Sequence, residues 1–348
     1  NLEQSLVGRR EELRDRLDVQ VFTPGMPDGR PIAMNVTSAG VNKLKSHDRE
    51  QLALRAAASL GCMMGYKSTG STASPLAVLG KAIDLLCGSD PGPISLQRLI
   101  DYIDGKPKKL LDAIGKIKPR HLEKLVEGLQ TLALSKKLVF PQQGDPLDAE
   151  YLLGLGEHRV PGKTRLCVVS TKFLGDVEDT RFWVAQLLSE LARWMSKSPS
   201  SKLQAIAMFD EADIYLPATG KPATKAPMEN LLRRARSAGL GIFLASQSPG
   251  DFDYKCRENV NTWFLGKIKE PTALQKVRQL LSDHHADAGN QLAHQKAGEF
   301  FVIQSGRVVP LRGDRSVMET DQLSDAEILA TARPTPGKKK DALAAVEG

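Results

Sequence analysis

Residues 203–209 (LQAIAMF) form an almost unbroken apolar run that stops at two adjacent carboxylates, Asp210 and Glu211. A short run of this composition reads as a strand buried on both faces, the situation of a parallel sheet covered by helices. Its neighbours repeat the theme. Residues 166–170 (LCVVS) and 240–245 are further strand candidates, with amphipathic helices over 180–194 and 227–237. Residues 262–265, 299–303 and 308–311 add short strands. Strand and helix in this alternation imply an α/β fold with a mainly parallel, doubly wound sheet.

The amino-terminal half reads differently. Residues 2–17 carry a charged helical pattern with Leu2, Leu6, Leu13 and Leu17 at helical spacing. A β-branched and aromatic run, 19–22, closes at the turn signal Thr23-Pro24-Gly25. A helix follows over 48–64, with Ser46 as its expected cap. After the Gly/Ser/Thr-rich loop 67–74, the stretches 75–87, 95–103, 109–117 and 121–134 all repeat at i, i+3, i+4, i+7, with no strand-like run between them. This predicts an all-helical subdomain over 68–145, inserted between an amino-terminal part of the core (1–67) and a carboxyl-terminal part (146–320), with a polar tail over 321–348. The chain starts at Asn1 and runs at once into helix, so it reads as a piece of a longer polypeptide.

The chemistry concentrates where residues 203–209 end. Ligands of parallel sheets bind at the carboxyl edge of the strands. There, one of two adjacent acids holds Mg²⁺, which takes few carboxylates and completes its shell with water and phosphate oxygens. The other orients and deprotonates an attacking water. This is the Walker B pattern, with Asp210 in the magnesium role and Glu211 as the base; the competing reading is a strand ending in two solvated acids. The run 241–245 ends on the same edge in Ser246-Gln247. A Gln both donates and accepts, so Gln247 suits a γ-phosphate sensor, or else it caps a strand-to-loop turn. Between these strands, Arg233, Arg234 and Arg236 precede a helix-ending Gly239. They are either a solvated face near a helix terminus or the source of an arginine finger. The three stand equal in the sequence.

A phosphate loop, GxxxxGK[ST], does not occur in the 348 residues. The one GK[ST] is Gly162-Lys163-Thr164. Its first glycine would have to stand where Glu157 is, and it precedes a strand, whereas a phosphate loop follows one and opens a helix. Lys163 therefore reads as a surface residue, and the phosphate loop is expected upstream of Asn1 or nowhere. The six histidines show no metal-ligand spacing, and Cys62, Cys87, Cys167 and Cys256 form no CxxC pair. That excludes a Cys-rich zinc module and argues against a disulfide scaffold. With 48 Lys+Arg against 41 Asp+Glu the net charge is +7, compatible with a polyanionic partner. No apolar stretch is long enough for a membrane helix. A reducing cytoplasm and no membrane are the expectation.

At this point a family resemblance enters. AIAMFDEADIYLP, then APMENLLRRARSAGLGIFLASQSPGDFDYKCRENVNTWFLGKI, together with VVSTKFLGDVEDTRFWVAQLLSELARWM, resemble the carboxyl half of HerA/FtsK-type ATPases, and most closely the bacterial HerA-like ATP-binding proteins. The resemblance is strong over 160–310, moderate over 17–66 and weak in the helical segment. It implies a RecA-like P-loop NTPase core that uses ATP and Mg²⁺. It further implies a ring-forming homo-oligomer, a hexamer, that translocates or unwinds duplex DNA without sequence specificity and works with a nuclease or other effector. The family's Walker B acids fall on Asp210 and Glu211, its strand-end Gln on Gln247, and its R-x-x-G finger on Arg236 with Gly239. Its Walker A lies amino-terminal to the strand at 19–22. Two readings compete with the DNA motor: a ring or scaffold subunit without turnover, and a secretion-type ATPase that moves protein.

Overall fold

A computed structural model describes residues 2–37, 40–67, 69–141, 143–247, 251–281, 286–314, 316–318 and 321–333. Along the chain run α1 (Leu2–Arg16), β1 (Leu17–Phe22), β2 (Ile32–Ala33), α2 (Ser46–Met63), α3 (Ala73–Ser89), α4 (Leu96–Asp104), α5 (Lys108–Ile114), α6 (Arg120–Ser135), β3 (Asp145–Pro146), α7 (Ala149–Leu153) and β4 (Thr164–Val169). They are followed by α8 (Val177–Lys197), β5 (Ser200–Phe209), α9 (Lys225–Arg234), β6 (Ala238–Leu244), β7 (Thr262–Leu265), α10 (Pro271–Leu281), α11 (Ala286–Gln291), β8 (Glu299–Gln304), β9 (Arg307–Arg312) and α12 (Asp325–Ala332). The chain forms two compact units, one of residues 16–183 with those after 321, the other of residues up to 15 with 184–321.

In the first unit β1 pairs in parallel with β4, from Leu17 opposite Thr164 to Phe22 opposite Val169. Period-two alternation sends Asp18, Gln20 and Phe22 to one face with Arg165 and Cys167. Arg30 ties this face together. Its guanidinium lies 4.3 Å over the Phe22 ring and donates to Asp145 at 2.8 Å, to the Tyr151 hydroxyl at 2.8 Å and to Gln20. Arg165 donates to Asp18 at 2.7 Å. Burial, reinforced by Asp145, pushes the Tyr151 phenol up to about 12. The helices pack around α3. Its Val78, Leu79, Ala82, Ile83 and Leu86 are buried, as are Leu99, Ile100 and Ile103 of α4 and Leu122, Leu125 and Leu129 of α6. The small residues Ala53, Ala56, Ala57 and Gly61 give α2 a closely packing stripe. Between α2 and α3, Asp84 is held below its ordinary pKa: burial pushes it up, but Arg49 and Lys81 outweigh that.

In the second unit β5 pairs in parallel with β6, with a register break between Ser200 and Ala205. Gly239 fits at that break with φ +60°, and a Cβ there would overlap the Lys202 carbonyl oxygen. The helix expected to end at Gly239 instead ends at Arg234 and a 3₁₀ turn, Ala235–Ser237; Gly239 is the second residue of β6. Gly239→Ala is expected to destabilise this unit by about 3 kcal/mol, combining overlap with left-handed strain. Gly162→Ala, also left-handed at φ +74° but in open space, should cost only about 1 kcal/mol. Denaturant titration of both variants checks the contrast.

The expectation of a single doubly wound sheet is corrected in two respects. The strands form separate parallel pairs, β1–β4, β2–β3 and β5–β6, and an antiparallel sheet in the order β7–β8–β9. The antiparallel turn is chemical in origin: Ser305 and Gly306 both take positive φ, 51° and 73°, as a two-residue hairpin closing Gln304 opposite Arg307 requires. Leu265, Val277, Leu281, Leu292 and Phe301 form the core beneath that sheet. Nor is residue run 203–209 buried on both faces. Ile206 and Met208 are 53% and 68% exposed and alternate with half-buried Ala205 and Ala207 and buried Phe209, while Leu203, ahead of the alternating part, is 67% exposed.

Smaller departures follow local chemistry. Lys45, without a side-chain cap, precedes α2, and Ser46 is its first residue. Part of the expected polar tail is α12, started by a capping box in which Ser324 and Glu327 satisfy each other's amides. The tail from residue 334 lies outside the described residues.

Candidate functional site

The β5–β6 ladder continues past its last strand residues and brackets the two acids. Ala245 N donates to Phe209 O at 2.9 Å, and Ala212 N donates to Ala245 O at 2.8 Å. Asp210 and Glu211 stand exposed between these bonds, at the carboxyl edge of the pair. Asp210 Oδ1 accepts the Glu211 amide at 3.0 Å. Glu211 is left-handed, φ 49° and ψ 46°. For a residue with a Cβ that costs about 1–2 kcal/mol and persists only where the surroundings over-determine it.

Those surroundings are dense. Ala212 and Leu216 are fully buried. Ile214 N returns to Glu211 O, and Tyr215 N and Leu216 N both donate to Ala212 O. The buried Thr224 hydroxyl donates to Tyr215 O at 2.8 Å. Asp253 N donates to Leu216 O at 3.0 Å, and the Lys225 ammonium donates to Pro217 O at 2.8 Å and pairs with Asp253 at 2.7 Å. Burial pushes the Asp253 carboxyl up, but Lys225 and the Lys255 amide outweigh it and hold it below its ordinary value. The pair's stabilisation is therefore present above the ordinary value of 3.8 and lost as the pH falls through the depressed folded value. Lys225→Met strands a buried carboxylate and should cost about 3 kcal/mol near neutral pH, a penalty that shrinks below about pH 4. Denaturation of both proteins at pH 7 and pH 3 measures it.

Gln247 lies beyond β6 on the same edge as Asp210 and Glu211 and is exposed. One residue earlier, Ser246 Oγ donates to Asp213 Oδ1 at 2.6 Å, a side-chain link between the two strand ends. The sequence reading missed this link. Its signal was a third acid, three residues after Asp210, facing a strand-end hydroxyl, which becomes visible only once β5 and β6 are paired.

The three arginines are no longer equivalent. Arg233 Nε donates to Glu229 O at 3.2 Å and Arg234 to Ser196 Oγ at 2.9 Å. Arg236 is exposed, and its side chain makes no hydrogen bond or ion pair among the described residues. It precedes β6, whose seven residues separate it by about 20 Å from the carboxyl edge. Arg236 therefore does not reach Asp210 or Glu211 of its own chain.

Lys163 is exposed in a turn that closes on Val160 O, and β4 starts at the next residue, Thr164. Gly162-Lys163-Thr164 thus leads into a strand rather than out of one, the reverse of a phosphate loop. His284 and His285 lie outside the described residues. Among the described residues, no three His, Cys, Asp or Glu side chains group to cage a metal. A Mg²⁺ ion held by Asp210 and completed by water and phosphate oxygens is the arrangement this donor set fits.

No family model matches the chain. In sequence it is 28% identical over 116 residues to the DNA double-strand break repair helicase HerA of Saccharolobus solfataricus, a match covering 33% of this chain and 23% of that protein. It is 26% identical over 96 residues to a probable helicase of Methanocaldococcus jannaschii, covering 28% and 19%. These matches span about a fifth of those relatives' length. In structure it is similar to VirB4 of Thermoanaerobacter pseudethanolicus, with TM-score 0.56, 14% identity, and 85% of this chain and 76% of that one covered. It is also similar to the bacterial conjugative coupling protein TrwBΔN70, with TM-score 0.51, 13% identity, and 93% and 81% covered. The HerA/FtsK-type resemblance read from the residues around Asp210 and Glu211 is borne out, and the fold is similar to those of VirB4 and the coupling protein.

Proposed function

We propose that these residues carry the Walker B half of an ATP-hydrolysing motor subunit of the HerA/FtsK type, a ring-forming cytoplasmic translocase or helicase acting on duplex DNA. The observation that carries this reading is the strained Asp210-Glu211 turn, exposed beside Gln247 at the carboxyl edge of β5 and β6. MgATP supplies the electrophilic phosphorus. Asp210 holds the ion, Glu211 takes the proton of the attacking water, and Gln247 orients that water by donating and accepting at once. Asp213 and Ser246 hold the two strand ends together so that base and sensor keep their spacing. Arg236, whose side chain has no partner among the described residues, acts on the nucleotide of the next subunit. Helices α3–α6 form an inserted subdomain of the motor. Among the described residues no helix is long and apolar enough to cross a membrane.

The test is ATP hydrolysis by the natural protein containing these residues, with and without duplex DNA. Stimulation by DNA is the expected result. Hydrolysis indifferent to DNA would favour protein cargo, and no hydrolysis would favour a scaffold subunit.

A further inference from the structure

The chain's excess positive charge is unevenly placed. Residues 106–124, from the end of α4 into α6, hold seven Lys and Arg (Lys106, Lys108, Lys109, Lys116, Lys118, Arg120, Lys124) against two acids, Asp112 and Glu123. That local +5 compares with +7 for the whole protein. The segment is two helices joined by a short turn, the α5–α6 hairpin. Helix α5 stops at Gly115, whose φ of +59° and ψ of −123° suit a residue without a Cβ, a tight turn follows in which Ile117 N returns to Ile114 O, and α6 begins at Arg120. Leu110, Leu122 and Leu125 anchor both helices in the core, so the turn is held from beneath while its charges face outward. Lys116, Lys118 and Arg120 are exposed and, among the described residues, take part in no ion pair. Together with Ser74, Ile114 and His121 they line a shallow depression of about 400 Å³. Lys124 follows Arg120 by one helical turn, on the same side of α6.

We propose that the α5–α6 hairpin is a phosphate-backbone contact for duplex nucleic acid, separate from the nucleotide site. Two features select this partner. Unpaired Lys and Arg at close spacing release counterions from a polyphosphate without reading its sequence. No Phe, Tyr or Trp occurs in 106–124, so the hairpin has no platform on which single-stranded bases would stack. The same lack removes the aromatic anchors by which surface helices usually settle into a lipid interface. The proposal goes beyond the motor reading, since binding here needs no ATP and no Walker B residue.

The test uses the full protein and a fluorescein-labelled 30-bp duplex of arbitrary sequence, titrated without nucleotide from 50 to 200 mM KCl. The Lys116→Glu/Lys118→Glu/Arg120→Glu variant should lose roughly 30-fold or more in affinity at 100 mM, and its log K against log[KCl] slope should flatten by about three units. The corresponding Gln variant, which keeps the side-chain stems, should give the same flattening with a smaller loss. ATP hydrolysis without DNA should be unchanged in both. A wild-type slope in both variants overturns the proposal. So does a fall in DNA-free hydrolysis, which would place the hairpin in the motor itself. Loss of binding to phosphatidylserine vesicles with unchanged duplex binding would overturn it in favour of a membrane surface. A protein that hydrolyses no ATP but shows the expected salt behaviour would sink the motor reading and leave this contact standing.

Discussion

Arg236→Ala is expected to abolish ATP hydrolysis, by about 10³-fold or more, with little loss of ATP affinity. The physical reason is distance. Arg236 stands at the amino end of β6, about 20 Å along the strand from its own Asp210 and Glu211, so any catalytic charge it supplies goes to another subunit. Mixing separates this from a structural role. Arg236→Ala subunits and Glu211→Gln subunits are each inactive alone, but a mixed ring contains interfaces where an intact Arg236 meets an intact Glu211. Hydrolysis should partly return once subunits exchange. Arg233→Ala and Arg234→Ala should retain most activity, because those side chains are engaged with Glu229 and Ser196 of their own chain. If the Arg236→Ala mixture stays inactive after demonstrated exchange while an Arg233→Ala or Arg234→Ala mixture recovers, the finger is one of those neighbours. Normal hydrolysis by all three single variants would leave the cluster a solvated helix end.

Glu211→Gln should leave ATP binding close to wild type and lower turnover by roughly 10²–10⁴, the usual contribution of a general base. Asp210→Ala should in addition weaken the Mg²⁺-dependent part of binding, because its carboxylate is the ion's protein ligand in this account. The left-handed backbone adds a check. Glu211→Gly relieves the strain at φ 49° while deleting the carboxylate, so it should be as inactive as Glu211→Gln without being less stable than the loss of a side chain alone implies. Steady-state hydrolysis, nucleotide affinity and a denaturant titration on the three variants separate these effects.

Where a signal is local and chemical, the residues alone carried it. Two acids after an apolar run place the edge of a sheet, and the 3.6-residue periodicities over 75–134 correspond to α3, α4, α5 and α6 within a few residues. Pairing was harder. Short strands at 262–265, 299–303 and 308–311 were legible, but their antiparallel order depended on Ser305-Gly306, a turn signal outweighed by the α/β rhythm upstream. The alternation in β5 was masked because Ile206 and Met208 on its exposed side are as apolar as the buried Phe209. Gly239 looked like a helix end because it follows Arg236 and Ser237; only the paired strand shows that its missing Cβ makes room for the Lys202 carbonyl. The bond from Arg234 to Ser196 and the link from Ser246 to Asp213 depend on neighbours distant in sequence, which no spacing encodes.

The central claim, that Asp210 and Glu211 form one hydrolytic site, is tested most directly by phosphate release at saturating MgATP from wild type, each single variant and the Asp210→Ala/Glu211→Gln double variant of the natural protein. Residues acting on one step are not additive. The account predicts active wild type, at least about 10²-fold loss in each single variant, and a double variant hardly slower than the slower single. Near wild-type release from both single variants would contradict it.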